Sequence, residues 1–385
     1  MKIDPPAFLS DPAAIRVLDA LPEARIVGGA VRDALAGRPV ADIDLATPLL
    51  PAEVAAALAE AGIRSVPTGL DHGTLTAVVA GRGFQITTLR RDVATDGRRA
   101  VVAYTTDWRE DAARRDFTIN AMSMTREGTV ADYFGGAGDL RAGVVRFVGD
   151  GAARVAEDYL RILRFFRFFA RYGSGPPDPA ALAAIRGGIT GLAGLSVERV
   201  WSELSGLLSV PDPGSAIALM ARLGVLAAIL PEGASPDGLT MLLATGAPAD
   251  PVLRLAALLT GEARPVAIRL KLSVTDRERL VALRQPPTTG PNDDDAALRR
   301  ALAKAEPAIV VGRAWLAGEP ALAARLAGIR RPVFPLEGRR IVALGRPPGP
   351  RVGLLLREVR AWWFARGCLD GADACVAEAR RRMDF

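Results

Sequence analysis

One histidine, two cysteines and three lysines are all that 385 residues contain of those types. The single histidine, His72, excludes a His-rich metal centre and any metal-dependent phosphohydrolase built on paired His-Asp ligands. It stands beside a glycine turn with nothing to pair with it as a nucleophile, and reads as a structural or capping residue. Cys368 and Cys375 cannot make a disulfide framework. Placed on one C-terminal helix they stand about 10 Å apart, beyond disulfide reach, and read as half-buried thiols. No apolar run reaches about 18 residues and the N-terminus has no basic-then-apolar leader, so neither a membrane span nor export is expected. A reducing cytoplasm fits.

Lysine is nearly absent: of 49 basic residues only Lys2, Lys271 and Lys304 are not arginine. A GC-rich genome produces that bias, so the excess carries no functional meaning by itself, although each arginine brings a bidentate fork for phosphate. The net charge of +6 and a pI near 9.9 favour a polyanionic partner. Half the residues are apolar and 24% are charged, as in ordinary globular protein. The length predicts two to four domains. There is no strong internal repeat.

Chemistry concentrates between Val27 and Thr47. Residues 24–27 read as a strand end, and Gly28-Gly29 permits positive φ and close approach of backbone to a ligand. Residues 30–36 have helical composition and stop at Gly37, which suits a C-cap. Amides at that helix start would face an anion, with Arg32 adding charge. Asp42 and Asp44 follow. On a strand over 41–46 both carboxylates project from one face, and paired hard oxygens suit Mg²⁺ shared with a triphosphate. A lone Gly-Gly is usually a loop and a lone Asp-x-Asp usually a surface strand; the ordered combination within about twenty residues is what points to a phosphate-metal site.

Glycine-punctuated β-rich segments at 75–80, 83–88, 100–104, 130–134 and 144–148 make the first 145 residues an α/β head. Long amphipathic helices follow, clearest over 154–172, 196–208, 215–230 and 251–259. Pro/Gly/Asp-rich breaks at 173–179 and 285–295 read as surface loops.

Four motifs in order carry a family resemblance. They are Gly28-Gly29-Ala30-Val31-Arg32-Asp33 through Asp42-Ile43-Asp44, then Arg114-Arg115-Asp116-Phe117-Thr118-Ile119-Asn120-Ala121-Met122, then Glu157-Asp158-Tyr159-Leu160-Arg161-Ile162-Leu163-Arg164, and Glu198-Arg199 with Glu203. Across roughly residues 25–205 the chain resembles the class II tRNA nucleotidyltransferases, or CCA-adding enzymes, and their relatives the bacterial poly(A) polymerases. The resemblance implies an α+β protein. A polymerase β-like α/β nucleotidyltransferase head at 1–148 would precede an all-helical neck at 149–210, body at 211–310 and tail at 311–385.

The same resemblance implies roles. Asp42 and Asp44 would be the catalytic carboxylates and hold Mg²⁺. Gly28, Gly29 and Arg32 would receive the triphosphate, Asp116 would read the ribose 2′-hydroxyl, and Arg115 and Asn120 would assist at sugar and phosphates. Asp158 and Arg161 would act as a protein template for C and then A, with Glu157 beside them and Arg164 as a phosphate contact. An intrahelical ion pair is the plainer account of Glu157, Asp158 and Arg161. Arg91, Asp96 and Arg98 lie in a stretch resembling the family's mobile loop, which switches specificity from CTP to ATP, although its composition describes any mobile hairpin. Phe165, Phe166, Phe168 and Phe169 read as core and not as base-stacking platforms. Many relatives have Glu where this chain has Gln85; a neutral amide is a weaker metal ligand, so Gln85 is left outside the metal set. The implied partners are the tRNA acceptor arm, CTP and ATP, with no membrane and no protein partner. A poly(A) polymerase, a partial adder of CC or A, and an RNA-binding protein with a decayed head remain as rivals. The first of these usually carries a strongly basic C-terminal extension, which does not follow Arg380-Arg381-Arg382 here.

Overall fold

Seven strands of the N-terminal half form one mixed sheet in the computed structural model, which describes residues 1–40, 42–69, 73–95 and 100–383. In chain order the strands of the head are β1 (Arg25–Val27), β2 (Asp44–Thr47), β3 (Arg64–Gly69), β4 (Thr74–Val79), β5 (Arg82–Thr88), β6 (Arg90–Thr95), β7 (Ala100–Tyr104), β8 (Met122–Met124) and β9 (Val130–Asp132). The sheet order is β3-β4-β5-β2-β1-β8-β9, and β6 and β7 pair separately. Among the described residues only β2 and β5 run parallel, with Asp44 opposite Gln85 and Leu45 opposite Ile86.

Side-chain alternation sorts the two faces of this sheet. Ile26, Leu45, Leu75, Phe84 and Ile86 join one core with α1 (Pro12–Ala20) and with α3 (Pro51–Glu60), which follows α2 (Gly29–Leu35). The opposite face carries Asp44 and Gln85 beside a small buried group of Val27, Ala46 and Leu89 with Trp108 against it. Trp108 opens α4 (Trp108–Ala113); α5 (Gly136–Ala142), α6 (Gly151–Glu157), α7 (Leu160–Tyr172), α8 (Pro179–Gly188) and α9 (Val197–Leu208) complete the site's scaffold. All of these lie in the compact unit Met1–Ile229; a second unit is Leu230–Phe385.

The helix expected over 154–172 is two helices. Asp158 breaks it in extended conformation (φ −156°, ψ 104°), and its Oδ1 accepts the Leu160 N–H at 3.1 Å, so the carboxylate starts α7 instead of riding on a continuing helix. The helix expected over 215–230 is likewise split, because Gly224 adopts left-handed φ of 82°. The segment 144–148 is not a sheet strand; only Phe147 bridges Phe117, and its ring packs 5.0 Å from that of Phe117. The phenylalanines of α7 are core as expected, with Phe165 and Phe166 fully buried and Phe165 stacked on Phe169 at 6.0 Å.

The second unit has ten α-helices among the described residues, several started by side-chain caps such as Asp250, which accepts from the N–H groups of Val252 and Leu253. One core gathers Leu298, Leu302, Val310 and Leu322, and another gathers Ile341, Leu355, Val359 and Trp363. Cys368 and Cys375 do not share a helix. Cys368 follows the helix Pro350–Ala365 with φ of 63°, and Cys375 lies in Ala372–Met383; both are free, buried thiols that burial pushes up in pKa.

Phe165→Ala is expected to cost about 3–5 kcal/mol, because the rings of Phe117, Phe147 and Phe166 all meet it. Chemical denaturation measures it, and a cost under about 1 kcal/mol would contradict this packing.

Candidate active site

The glycine turn begins the site. Gly28 sits at φ 65° and ψ −122°, and a Cβ placed there would lie 3.0 Å from a guanidinium nitrogen of Arg115. Its N–H donates to the Met122 carbonyl at 3.3 Å, tying the turn to the sheet, and α2 runs on to Leu35 with Gly37 in left-handed conformation beyond it, as expected. Arg32 is not presented as an unmatched cation. Its Nε and one terminal nitrogen donate to Asp33 at 3.1 Å each, and the other donates to Asn120 Oδ1 at 2.6 Å. The guanidinium lies over the rings of Phe168 and Tyr172, and the Tyr172 hydroxyl donates to Asp33 at 2.5 Å. Burial first, and that hydrogen bond second, push the Tyr172 phenol above its ordinary pKa.

Asp44 stands at the first position of β2. The strand starts later than the 41–46 expectation, so Asp42 is carried by the segment before it, and Ala41 lies outside the described residues. The two carboxylates still act on one another. Desolvation raises the Asp44 pKa; Arg115 opposes that shift and Asp42 adds to it. Arg115 therefore has the Gly28 turn on one side and the acidic pair on the other. No group of three or more His, Cys, Asp or Glu suited to a metal occurs among the described residues. Two oxygen-donor carboxylates that repel each other do fit a hard divalent cation completed by substrate oxygens.

Gly28, Gly29, Asp44, Arg115, Asp158 and Arg161 face one open cleft of about 570 Å³, with Arg32, Asp116, Asn120 and Arg164 in its wall. Asp42 and Glu157 are not part of that lining. Asp158 Oδ2 accepts from Arg199 of α9 at 2.6 Å. Arg161 donates to Glu157 at 2.6 Å and to the Arg154 carbonyl at 2.8 Å, so the i,i+4 ion pair is real and holds a residue that also faces the cleft. Arg91 is exposed on β6; Asp96, Arg98 and His72 lie outside the described residues.

Buried carboxylates fix the cleft's arginines. Asp116 Oδ1 accepts from Asn120 and from the Phe117 N–H, both at 2.9 Å, while Oδ2 accepts from Arg164 Nε at 2.7 Å and a terminal nitrogen at 2.6 Å. Four donors use every acceptor site of a carboxylate. Burial alone would raise Asp116, but the Arg164 charge and these hydrogen bonds hold it below the usual range. Arg164 also reaches Glu203 of α9 at 3.5 Å, and Glu203 takes Arg167 Nε at 2.6 Å. Asp111, which sequence reasoning missed, does the same for the double arginine. It is buried, accepts from Arg114 at 2.7 and 2.9 Å and Arg115 at 3.2 Å, and lies below its ordinary pKa because those cations outweigh burial. Its signal was present in the spacing, three and four residues before Arg114 and Arg115 on one helical face. Arg199 and Glu203, visible only as members of a motif, hold Asp158 and Arg164.

A glycine turn, an acidic pair with an arginine between, and a mixed sheet running into helices define a nucleotidyltransferase head. Residues 24–146 match the family described as "Poly A polymerase head domain", and 177–235 match "Probable RNA and SrmB- binding site of polymerase A". The human protein named "CCA tRNA nucleotidyltransferase 1, mitochondrial" is 38% identical over 362 residues, covering 90% of this chain and 83% of its own. The zebrafish (Danio rerio) protein of the same name is 37% identical over 358 residues, covering 89% and 83%. The crystal structure of the Bacillus stearothermophilus CCA-adding enzyme in complex with CTP superposes with a TM-score of 0.72 at 26% identity, covering 97% of both chains. The chain belongs to the CCA tRNA nucleotidyltransferase family.

Asp116→Asn leaves Arg164 beside a neutral amide, with only the 3.5 Å contact to Glu203 to balance its charge. The expected loss at neutral pH is about 2–3 kcal/mol, below the cost of breaking a fully dry pair because the Arg164 side chain is 32% exposed. Since the folded pKa is depressed, the wild-type contribution is complete above about pH 4, the unfolded value, and is lost as pH falls through the folded one. The stability gap between wild type and variant must therefore narrow on acidification; a constant gap from pH 7 to 2 would refute the assignment.

Proposed function

We propose that this chain adds C, C and A to the 3′ end of tRNA from CTP and ATP, with no nucleic-acid template. The observation that carries the reading is the shared cleft: Asp158 and Arg161, which offer an acceptor and donors to a base, face the same space as Asp44 and the Gly28 turn. Gly28 and Gly29 let the triphosphate approach the backbone, and Arg115 meets its charge. Asp158 accepts from the exocyclic amine shared by C and A, while Arg161 donates to ring nitrogen and carbonyl acceptors. U and G present a carbonyl where that amine stands, setting acceptor against acceptor and losing the hydrogen bond that C and A make. Asp116 is assigned to the ribose 2′-hydroxyl with Arg115 and Asn120 assisting, although its oxygens here accept from Phe117, Asn120 and Arg164, so a hydroxyl there must displace or share one of these donors.

Asp42 and Asp44 would hold Mg²⁺, which supplies activation of the attacking 3′-hydroxyl and neutralises charge on the departing pyrophosphate. The curated relatives' names and the CTP in the related crystal structure support the reaction. The helical parts at 211–310 and 311–385 are assigned to the tRNA acceptor arm, read by shape and phosphate contacts. The head and neck are kept at 1–148 and 149–210. Buried free thiols support a reducing, cytoplasm-like compartment.

Incubated with tRNA lacking its last three nucleotides, CTP, ATP and Mg²⁺, the protein is expected to add C, C and A and stop. Asp44→Ala should lower incorporation at least about 1,000-fold while tRNA affinity holds. A long A-only tail, or a halt after CC, would overturn the reading in favour of a poly(A) polymerase or a partial adder.

A further inference from the structure

Gln85 stands beside Asp44 on the sheet, just outside the residues that line the cleft. The parallel pairing of β2 with β5 puts Gln85 directly opposite Asp44, and residues so paired project from the same face of a sheet. Both are exposed, on the face away from the main core. Among the described residues no hydrogen bond commits the Gln85 side-chain amide elsewhere. Its neighbour on β4, Thr76, is by contrast bonded to Thr68 at 2.8 Å. Adjacent strands stand about 4.8 Å apart, and cis ligands of an octahedral Mg²⁺ about 3 Å apart, so a side chain one methylene longer than Asp can close the gap.

We propose that the Gln85 amide oxygen faces the divalent ion beside Asp44 as a neutral donor, so that the protein contributes two carboxylates and one uncharged oxygen. The inference rests on the proposed role of Asp42 and Asp44. With only two formal charges supplied, the ion binds the nucleotide-free protein weakly and enters together with the triphosphate, whose oxygens complete its shell. Ligand charge count is a main determinant of affinity for hard cations, and it is set here by one position.

The test is Mn²⁺ binding to the full-length, nucleotide-free protein, read from the electron paramagnetic resonance signal of free Mn²⁺. Gln85→Glu is expected to tighten binding by about tenfold or more, and Gln85→Leu to weaken it severalfold. Thr76→Glu adds the same charge on the same face one strand further off, and is expected to tighten binding far less. Equal tightening by Thr76→Glu, or unchanged binding in Gln85→Leu, would overturn the proposal by reducing position 85 to a distant charge effect. So would the absence of measurable binding in Gln85→Glu. Asp44→Asn separates the two layers: if it leaves Mn²⁺ binding intact, the carboxylate pair itself is misassigned, whereas its loss together with an indifferent Gln85 defeats only this inference.

Discussion

Asp116 has been taken out of water with four donors on its two oxygens, and the geometry of the cleft depends on that carboxylate. Burying a charge costs several kcal/mol unless its partners are in place, so such a network forms completely or leaves an uncompensated charge behind. From Asp116 it runs outward in two directions. Arg164 carries it to Glu203 and Arg167, joining α7 to α9. Asn120 carries it to Arg32 and Asp33, and the Tyr172 hydroxyl returns it to the far end of α7. Helix α7 is thus fastened near its two ends, through Arg164 to Asp116 and through Tyr172 to Asp33 of α2.

That fastening fits what template-free selection demands. A base can be read by two side chains only if their edges stand at a fixed offset from the reacting phosphate, and orientation of this kind supplies a large share of catalysis. In the proposed reading Asp158 supplies one such edge because the helix breaks at it: the residue is extended and lines the cleft, with the Leu160 N–H and Arg199 holding its two oxygens. Arg161 is steadied by Glu157 and by backbone carbonyls. The cation that acts on Asp44 is governed the same way, since Asp111 holds Arg115 together with Arg114. Buried acids orient the arginines, and the arginines line the cleft.

Local signals made much of this legible in the chain. Alternation predicted the strands around 75–80 and 83–88, and the glycine turn with its short helix and Gly37 stop was readable because few residues accept positive φ. Residues of the motifs at 28–44, 114–122 and 157–164 face one cleft, although Asp42 and Glu157 are not in its lining. What was not legible depended on tertiary partners. The periodicity of 154–172 is helical throughout, and only the side chain of Asp158, capping forward and bonded across to α9, explains the interruption. The apolar run at 144–148 reads as strand, but its Phe147 is used by the aromatic core of α7. Arg32 and Arg164 read as phosphate cations because a sequence does not show that Asp33, Asp116 and Glu203 already stand against them. Long-range pairing is invisible to periodicity, and in this chain it is what builds the site.

The central claim, that two residues at the start of α7 read the base, is tested most directly by discrimination between CTP and UTP. The ratio of kcat/KM for the two nucleotides on tRNA lacking its last three residues should fall by at least about 100-fold in Asp158→Ala, as expected when a hydrogen-bonded readout is removed. Activity with CTP should fall by much less than the ratio. An Asp158→Ala protein that is slower with both nucleotides yet keeps the wild-type ratio would contradict the account and move base selection elsewhere in the cleft.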